Sequence, residues 1–288
     1  MTQHTLELPD VDLVYDVHGP LPTKDGRHPL MMIGQPMDAS GFQAQVKLFG
    51  DRTVVTCDPR GLGRSVRKDG GVTNEPDVQA EDVHAIIEAL GAGPVDMFAS
   101  SGGAVSALAL VTAHPQDVVT LVAHEPPIDS VLPDAEAVHR ARIAYTRAYQ
   151  ERGWGAGMAA FVAMTSWEGE VTEEFLAQPA PDPAAFGMPT EDDGSRNDPL
   201  LSELSWAVPL YEPDLEALKA SPTRIVVAVG EESLKGYTGR TALALAEKLG
   251  QQATVFPSHH GGFMGGEFGY AGQPEAFAAT LREVLDRP

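Results

Sequence analysis

Of the 288 residues only one, Cys57, is a cysteine, so no disulfide can close within the chain and no cysteine-rich zinc site can form. Nowhere do eighteen apolar residues run together, which leaves no membrane-spanning helix to read. The first residues, MTQHTLELPD, lack a basic segment leading into an apolar one, so no signal peptide is expected. Basic residues are scarce: 20 Lys and Arg stand against 41 Asp and Glu, a formal net charge of −21. A surface of that sign repels nucleic acid and anionic membrane, and it weighs against anionic substrates too. These absences point to a soluble cytoplasmic protein with neither nucleic-acid nor membrane partners. They leave its oligomeric state open.

What is present is an alternation. VDLVYDV (11–17), LMMIG (30–34) and TVVTC (53–57) read as strands, VQAEDVHAIIEAL (78–90) as a helix, and PVDMFA (94–99) as a buried strand. A buried helix and a further strand, VVTLVAHEPP (118–127), follow. Residues 128–215 then show helix and loop patterns only. Strand signals return in ALKASPTRIVVAVG (217–230) and ATVFP (253–257), each followed by a helical run. The pattern predicts an α/β fold with a mostly parallel sheet and helices on both faces. We read residues 1–127 and 216–288 as its core, and 128–215 as an inserted helical cap.

Between the buried strand and the buried helix stands FASSGGAV (98–105). A strand that turns straight into a helix needs a sharp corner, with small residues two before and two after the corner residue. With Ser100 at the corner, Phe98 would clash with the helix. With Ser101 there, the flanking residues are Ala99 and Gly103. Ser101 is therefore the candidate nucleophile. A serine hydroxyl needs an adjacent base, and the last strand runs into Ser258-His259-His260-Gly261-Gly262-Phe263, where His260 is the expected base in preference to His259. GLG at 61–63 lacks a third glycine and is read as a turn, not a dinucleotide loop.

The elbow ASSGG, the loop DPRGLGRS (58–65), Gly34-Gln35-Pro36, and His260 before Gly261-Gly262-Phe263 together resemble the α/β-hydrolase superfamily over essentially the whole chain. Ile33 stands where that family usually has histidine. The resemblance implies a cofactor-free, metal-free serine hydrolase whose oxyanion hole uses the backbone N–H groups of Gln35 and Gly102. It leaves the acid less direct. The family's usual position, three residues past the glycine ending the next-to-last strand, holds Ser233, with Glu231 and Glu232 out of register. Some families place the acid at the end of an earlier strand, where this chain has Glu125. Zearalenone-type lactonases are similar in having a double-serine elbow and a His-Glu-x-Pro turn, as in Ser100-Ser101 and His124-Glu125-Pro126-Pro127. Glu125 is the expected acid and Glu232 the alternative. Serine at the nucleophile position argues against dehalogenase and epoxide-hydrolase chemistry.

Apolar residues of the cap, together with the core, suggest an apolar pocket lined by Met37, Trp167, Trp206 and Phe263. The expected substrate is a small hydrophobic ester or lactone. Two rival readings share the scaffold: a perhydrolase or cofactor-free haloperoxidase with the same triad, and a receptor-like ligand-binding protein with little turnover.

Overall fold

A computed structural model describes residues 1–24 and 26–287. Its strands are β1 (Thr2–Glu7), β2 (Val11–His18), β3 (Leu30–Gln35), β4 (Val54–Cys57), β5 (Val66–Arg67), β6 (Val95–Ser101), β7 (Val118–His124), β8 (Arg224–Gly230) and β9 (Thr254–Phe256). Its helices are α1 (Gln43–Leu48), α2 (Pro76–Leu90), α3 (Gly102–Ala113), α4 (Ala135–Arg152), α5 (Trp154–Thr165), α6 (Glu173–Leu176), α7 (Leu215–Ala220), α8 (Tyr237–Lys248) and α9 (Pro274–Leu285). The strands form one sheet in the order β1-β2-β4-β3-β6-β7-β8-β9, with β5 pairing on β2. Pairing is parallel from β4 through to β9 and antiparallel where β1, β4 and β5 meet β2.

The central strands are apolar on both faces because helices cover both. Along β6, Met97 and Ala99 point into the core shared with α2, α3 and α8. Phe98 points the other way, into the core built by α9 with Phe42 and Phe49. This period-two split is why PVDMFA reads as a continuous apolar run. Ten consecutive residues of α3, Gly102 to Val111, are buried, so that helix shows no polar face at all. On α2 the burial is one-sided, through Ala80, Val83, Ile86 and Ile87, and Gly91 ends the helix at φ +60°.

Two features escape a reading by pattern. The N-terminal stretch, whose residues are mostly exposed, pairs with β2 in register from Thr2↔Val17 to Glu7↔Asp12. The loop after β4 is tied down by polar contacts: Asp58 accepts from the Ala39 and Arg64 amides at 2.9 and 2.8 Å, and Ser65 donates to the Asp58 carbonyl at 2.7 Å. Among the described residues, 128–214 contain no strand. No described helix is long and apolar enough to cross a membrane.

Candidate active site

Parallel strands align their carboxyl ends, and the registers Gln35↔Ser101 and Ser100↔His124 bring β3, β6 and β7 to one edge there. At the end of β6 the chain reverses into α3. Ser101 takes up the turn at φ +57°, ψ −129°, a conformation that costs a non-glycine residue on the order of 1–3 kcal/mol. The small neighbours are required by contact. A Cβ on Gly103 would lie 2.6 Å from the Gly34 Cα, and Ala99 is fully buried. Ser100 lies inside β6, 1% exposed, with its Oγ 3.2 Å from the His124 Nδ1. Ser101 is part-exposed, and among the described residues its hydroxyl makes no hydrogen bond. Such contacts often tighten only when substrate binds.

Glu125, directly after β7, is wholly buried at φ +47°. Its Oε2 is 2.6 Å from the His260 Nδ1 and accepts from the Thr238 hydroxyl at 2.5 Å. Its Oε1 accepts from the Gly230 amide at 2.8 Å. Burial pushes the carboxyl pKa up, but the attraction and hydrogen bond of His260, with help from His124 and Thr238, outweigh it and hold Glu125 well below the usual carboxylate range. With the carboxylate accepting, the imidazole proton sits on Nδ1 and leaves Nε2 free. His260 is 40% exposed on the loop after β9. His259 instead serves that loop, its Nδ1 accepting from the Gly261 amide at 3.0 Å. Glu231 and Glu232 are exposed, and the Glu231 carboxylate is 3.3 Å from the Ser258 amide.

Gly102 is the first residue of α3, so its N–H has no partner within the helix, and the helix dipole adds to its positive end. Gln35 closes β3 at 1% exposure. Its Oε1 accepts from Gln79 on α2, which fixes the residue from behind, while its Nε2 has no partner among the described residues. The expected lining residues separate. Met37 is half-buried against Gly34 and Gly41. Trp206 lines a surface groove with Pro76, Ala207, Leu210 and Tyr211. Trp167 packs at a tilt against Phe175, their centroids 5.1 Å apart, and donates to the Glu170 carbonyl. Phe263 is 1% exposed and belongs to the aromatic core of Phe42, Phe98 and Phe277, so it supports the site floor and does not face open space. Sequence reasoning did not reach Thr238 and Gly230, whose only signal is three-dimensional, nor the pairing of Ser100 with His124.

The single thiol does not compete as nucleophile. Burial, then the carboxylates of Asp58, Asp82 and Asp16, push the Cys57 thiol up to about 12, so it stays protonated. Among the described residues, one group has metal-ligand chemistry. Atoms of His84, His114 and Asp117 lie within 4.8 Å of one another. The two imidazoles stack face to face at 3.7 Å and 4°, however, so their in-plane lone pairs run parallel and do not meet. The group also sits at the far end of α3 from Ser101.

An α/β sheet with a serine turn at the end of β6, a carboxylate after β7 and its histidine partner after β9 defines a hydrolase scaffold. Residues 17–280 match the model of the alpha/beta hydrolase family, and the chain belongs to that family. It is 27% identical over 300 residues to the uncharacterized hydrolase YraK of Bacillus subtilis, covering 98% of this chain and 96% of that one. Among solved structures it is similar to a thermophilic esterase from Thermogutta terrifontis (19% identity, TM-score 0.65, covering 99% and 98% of the two chains). It is likewise similar to the proline iminopeptidase of Mycobacterium smegmatis (18% identity, TM-score 0.64, 99% and 97%). Est816, an N-acyl homoserine lactone degrading enzyme, matches at 19% identity and TM-score 0.59 over 98% of each chain. At these identities the structural likeness speaks for the fold alone.

Proposed function

We propose that the protein is a cofactor-free serine hydrolase that cleaves a small hydrophobic carboxylic ester or lactone through an acyl-enzyme. The observation that carries this reading is the buried Glu125 carboxylate 2.6 Å from the His260 Nδ1, in a sheet whose β6 ends in a serine held at positive φ on the N-terminus of α3. Ser101 Oγ attacks the carbonyl carbon while His260 Nε2 takes its proton. Glu125 keeps the ring in the tautomer that can do so and stabilises the imidazolium. Negative charge gathers on the carbonyl oxygen, and the Gln35 and Gly102 amides are the donors for it. Collapse expels the alkoxide, which leaves with the His260 proton, and water, deprotonated by the same nitrogen, then cleaves the acyl-enzyme. Residues 128–215 act as a cap that sets which acyl and alcohol groups fit. The aliphatic and aromatic character of that segment, and an acidic surface, support a neutral, apolar substrate.

The test is a fluorophosphonate probe followed by peptide mass spectrometry, then a panel of aryl esters and macrolactones. Labelling at Ser101 with turnover of an ester is the expected result. Labelling at Ser100, or turnover that survives Ser101→Ala, would sink the assignment. Acceleration by peroxide over water would turn the same triad into a perhydrolase.

A further inference from the structure

His124 is a histidine for which the reaction above has no task, and it is held unusually. It is fully buried, surrounded by Phe98, Phe256, Phe263 and Phe277, and its ring lies 5.9 Å from that of His260. Burial, reinforced by the neighbouring His260 and opposed by Glu125, lowers its pKa to about 4, so it is neutral at working pH. A neutral imidazole has one N–H and one lone pair, and which nitrogen holds which is set by its neighbours. The His124 Nδ1 meets the Ser100 hydroxyl at 3.2 Å. Its Nε2 makes no hydrogen bond and lies 3.8 Å from the Glu125 Oε1. A bare lone pair there would face a carboxylate anion in a dry interior; an N–H would face it favourably.

We infer that Ser100 and His124 form a buried neutral pair that positions the Glu125 carboxylate: Ser100 donates to Nδ1, which fixes the proton on Nε2 and turns that N–H toward Oε1. At 3.8 Å this is a dipole held against a charge and not a hydrogen bond. Register makes the pair possible, since Ser100 and His124 are partners across β6 and β7. The second serine of the elbow and the histidine before the acid, two features of the sequence that the triad leaves unused, thereby acquire one role. His124 is a positioning residue, acting on the base only through Glu125. Oε2 already serves His260 and Thr238, and Oε1 has only the Gly230 amide besides. A carboxylate short of a donor on one oxygen can turn, and it also holds the imidazolium proton more tightly.

The inference rests on Ser101 being a nucleophile activated by His260, so the readout is the second-order rate of fluorophosphonate labelling at Ser101 across pH, which needs no knowledge of the substrate. His124→Phe, Ser100→Ala and His124→Gln are compared with wild type, with Ser101→Ala as the blank and thermal unfolding as the fold control. His124→Phe should label about threefold to fivefold more slowly, less than for losing a full hydrogen bond to a charged group, with the acidic limb of the profile moved to higher pH. Ser100→Ala should move both in the same direction but less. His124→Gln, which restores an N–H near the Nε2 position, should recover part of the rate. A folded His124→Phe with wild-type rate and limb would overturn the inference and leave His124 a packing residue. Should that variant fail to fold, an unchanged rate and limb in Ser100→Ala would overturn it equally. Wild type that escapes labelling at Ser101 would instead bring down the hydrolase reading, and this inference with it.

Discussion

Around β6 and β7 the side chains are mostly apolar and buried. Between β7 and β8 the chain is held differently. Arg142 of α4 is buried against Asp129 at 2.7 and 3.1 Å, and against the hydroxyls of Tyr145 and Tyr237 at 2.6 and 3.0 Å. Arg240 of α8 reaches Asp134, which also accepts from the Val171 amide at 2.6 Å. Directional clamps thus add to apolar burial in one segment, where Val138, Tyr149, Met164 and Leu201 join the core, while apolar contact dominates the other. Most side chains of residues 177–198 are exposed. Apolar packing tolerates little change in shape, so it suits the part that must hold reacting atoms in place. A segment pinned at a few points can vary between them without disturbing the pins, which suits a part that selects substrates.

The comparison breaks most sharply at the triad. Ser101→Ala should lower ester turnover by roughly a thousandfold or more, and Glu125→Gln by orders of magnitude, since an amide cannot stabilise the imidazolium. Thermal unfolding should show both variants folded. Turnover within tenfold of wild type in Glu125→Gln would mean the acid lies elsewhere. Glu232→Gln, on an exposed side chain, should leave the rate within about twofold.

Arg142→Met tests the other side. It leaves the buried Asp129 carboxylate with only the Tyr237 hydroxyl, at 2.5 Å, among the contacts of this cluster. Breaking such a buried pair costs about 3–5 kcal/mol, or on the order of 10 °C in Tm for a chain of this size. The folded fraction should still label at Ser101. A Tm within a degree of wild type would show that the clamp does not carry the docking of this segment.

Protonation separates the regions in another way. The His124 pKa is lowered to about 4 in the folded protein, and an unfolded histidine has an ordinary value near 6.5. The unfolded chain therefore binds more protons between those values, so stability falls as pH drops through that window. The full loss is about 3 kcal/mol. Glu125, depressed when folded, adds to the loss below its ordinary value of 4.5. Denaturant melts of wild type and His124→Phe between pH 7 and 4 should converge, with the variant's curve flatter. Parallel curves would assign the acid sensitivity to another region.

Much of this could be read from the chain before any coordinates. Two-period apolar runs, a helix with no polar face and the spacing of Ala99 and Gly103 around Ser101 are local signals, and they identify the sheet and the elbow. Glu125 entered as the expected acid by resemblance to families that place it after an earlier strand, with Ser233 at the usual acid position and Glu232 as the alternative. Other features were not readable because they depend on registers that no local pattern encodes. Ser100 meets His124 only across two strands, and Thr238 reaches Glu125 over 113 residues of sequence. The aromatic character of Phe263 gave no clue to which way it points. An interior aromatic and a pocket aromatic look the same in a string of letters.

An effect on KM speaks to the division of labour. Trp206 follows the turn Glu203–Ser205 and faces a groove shared with Pro76, the first residue of α2, and with Leu210 and Tyr211. Two residues on, Val208 lies close enough to the first turn of α3 that a Cβ at Gly102 would be 3.2 Å from its methyl. One short stretch thus touches both the open groove and the candidate oxyanion region. If residues 128–215 set specificity, Trp206→Ala should raise KM for a bulky aryl ester by about fivefold to tenfold, as expected for losing an apolar contact worth about 1 kcal/mol. It should leave kcat/KM for an acetate ester, too short to reach the groove, nearly unchanged. Equal losses on both esters would mean that Trp206 supports the site's geometry and not its choice of substrate, and the contrast between the two regions would then be one of packing alone.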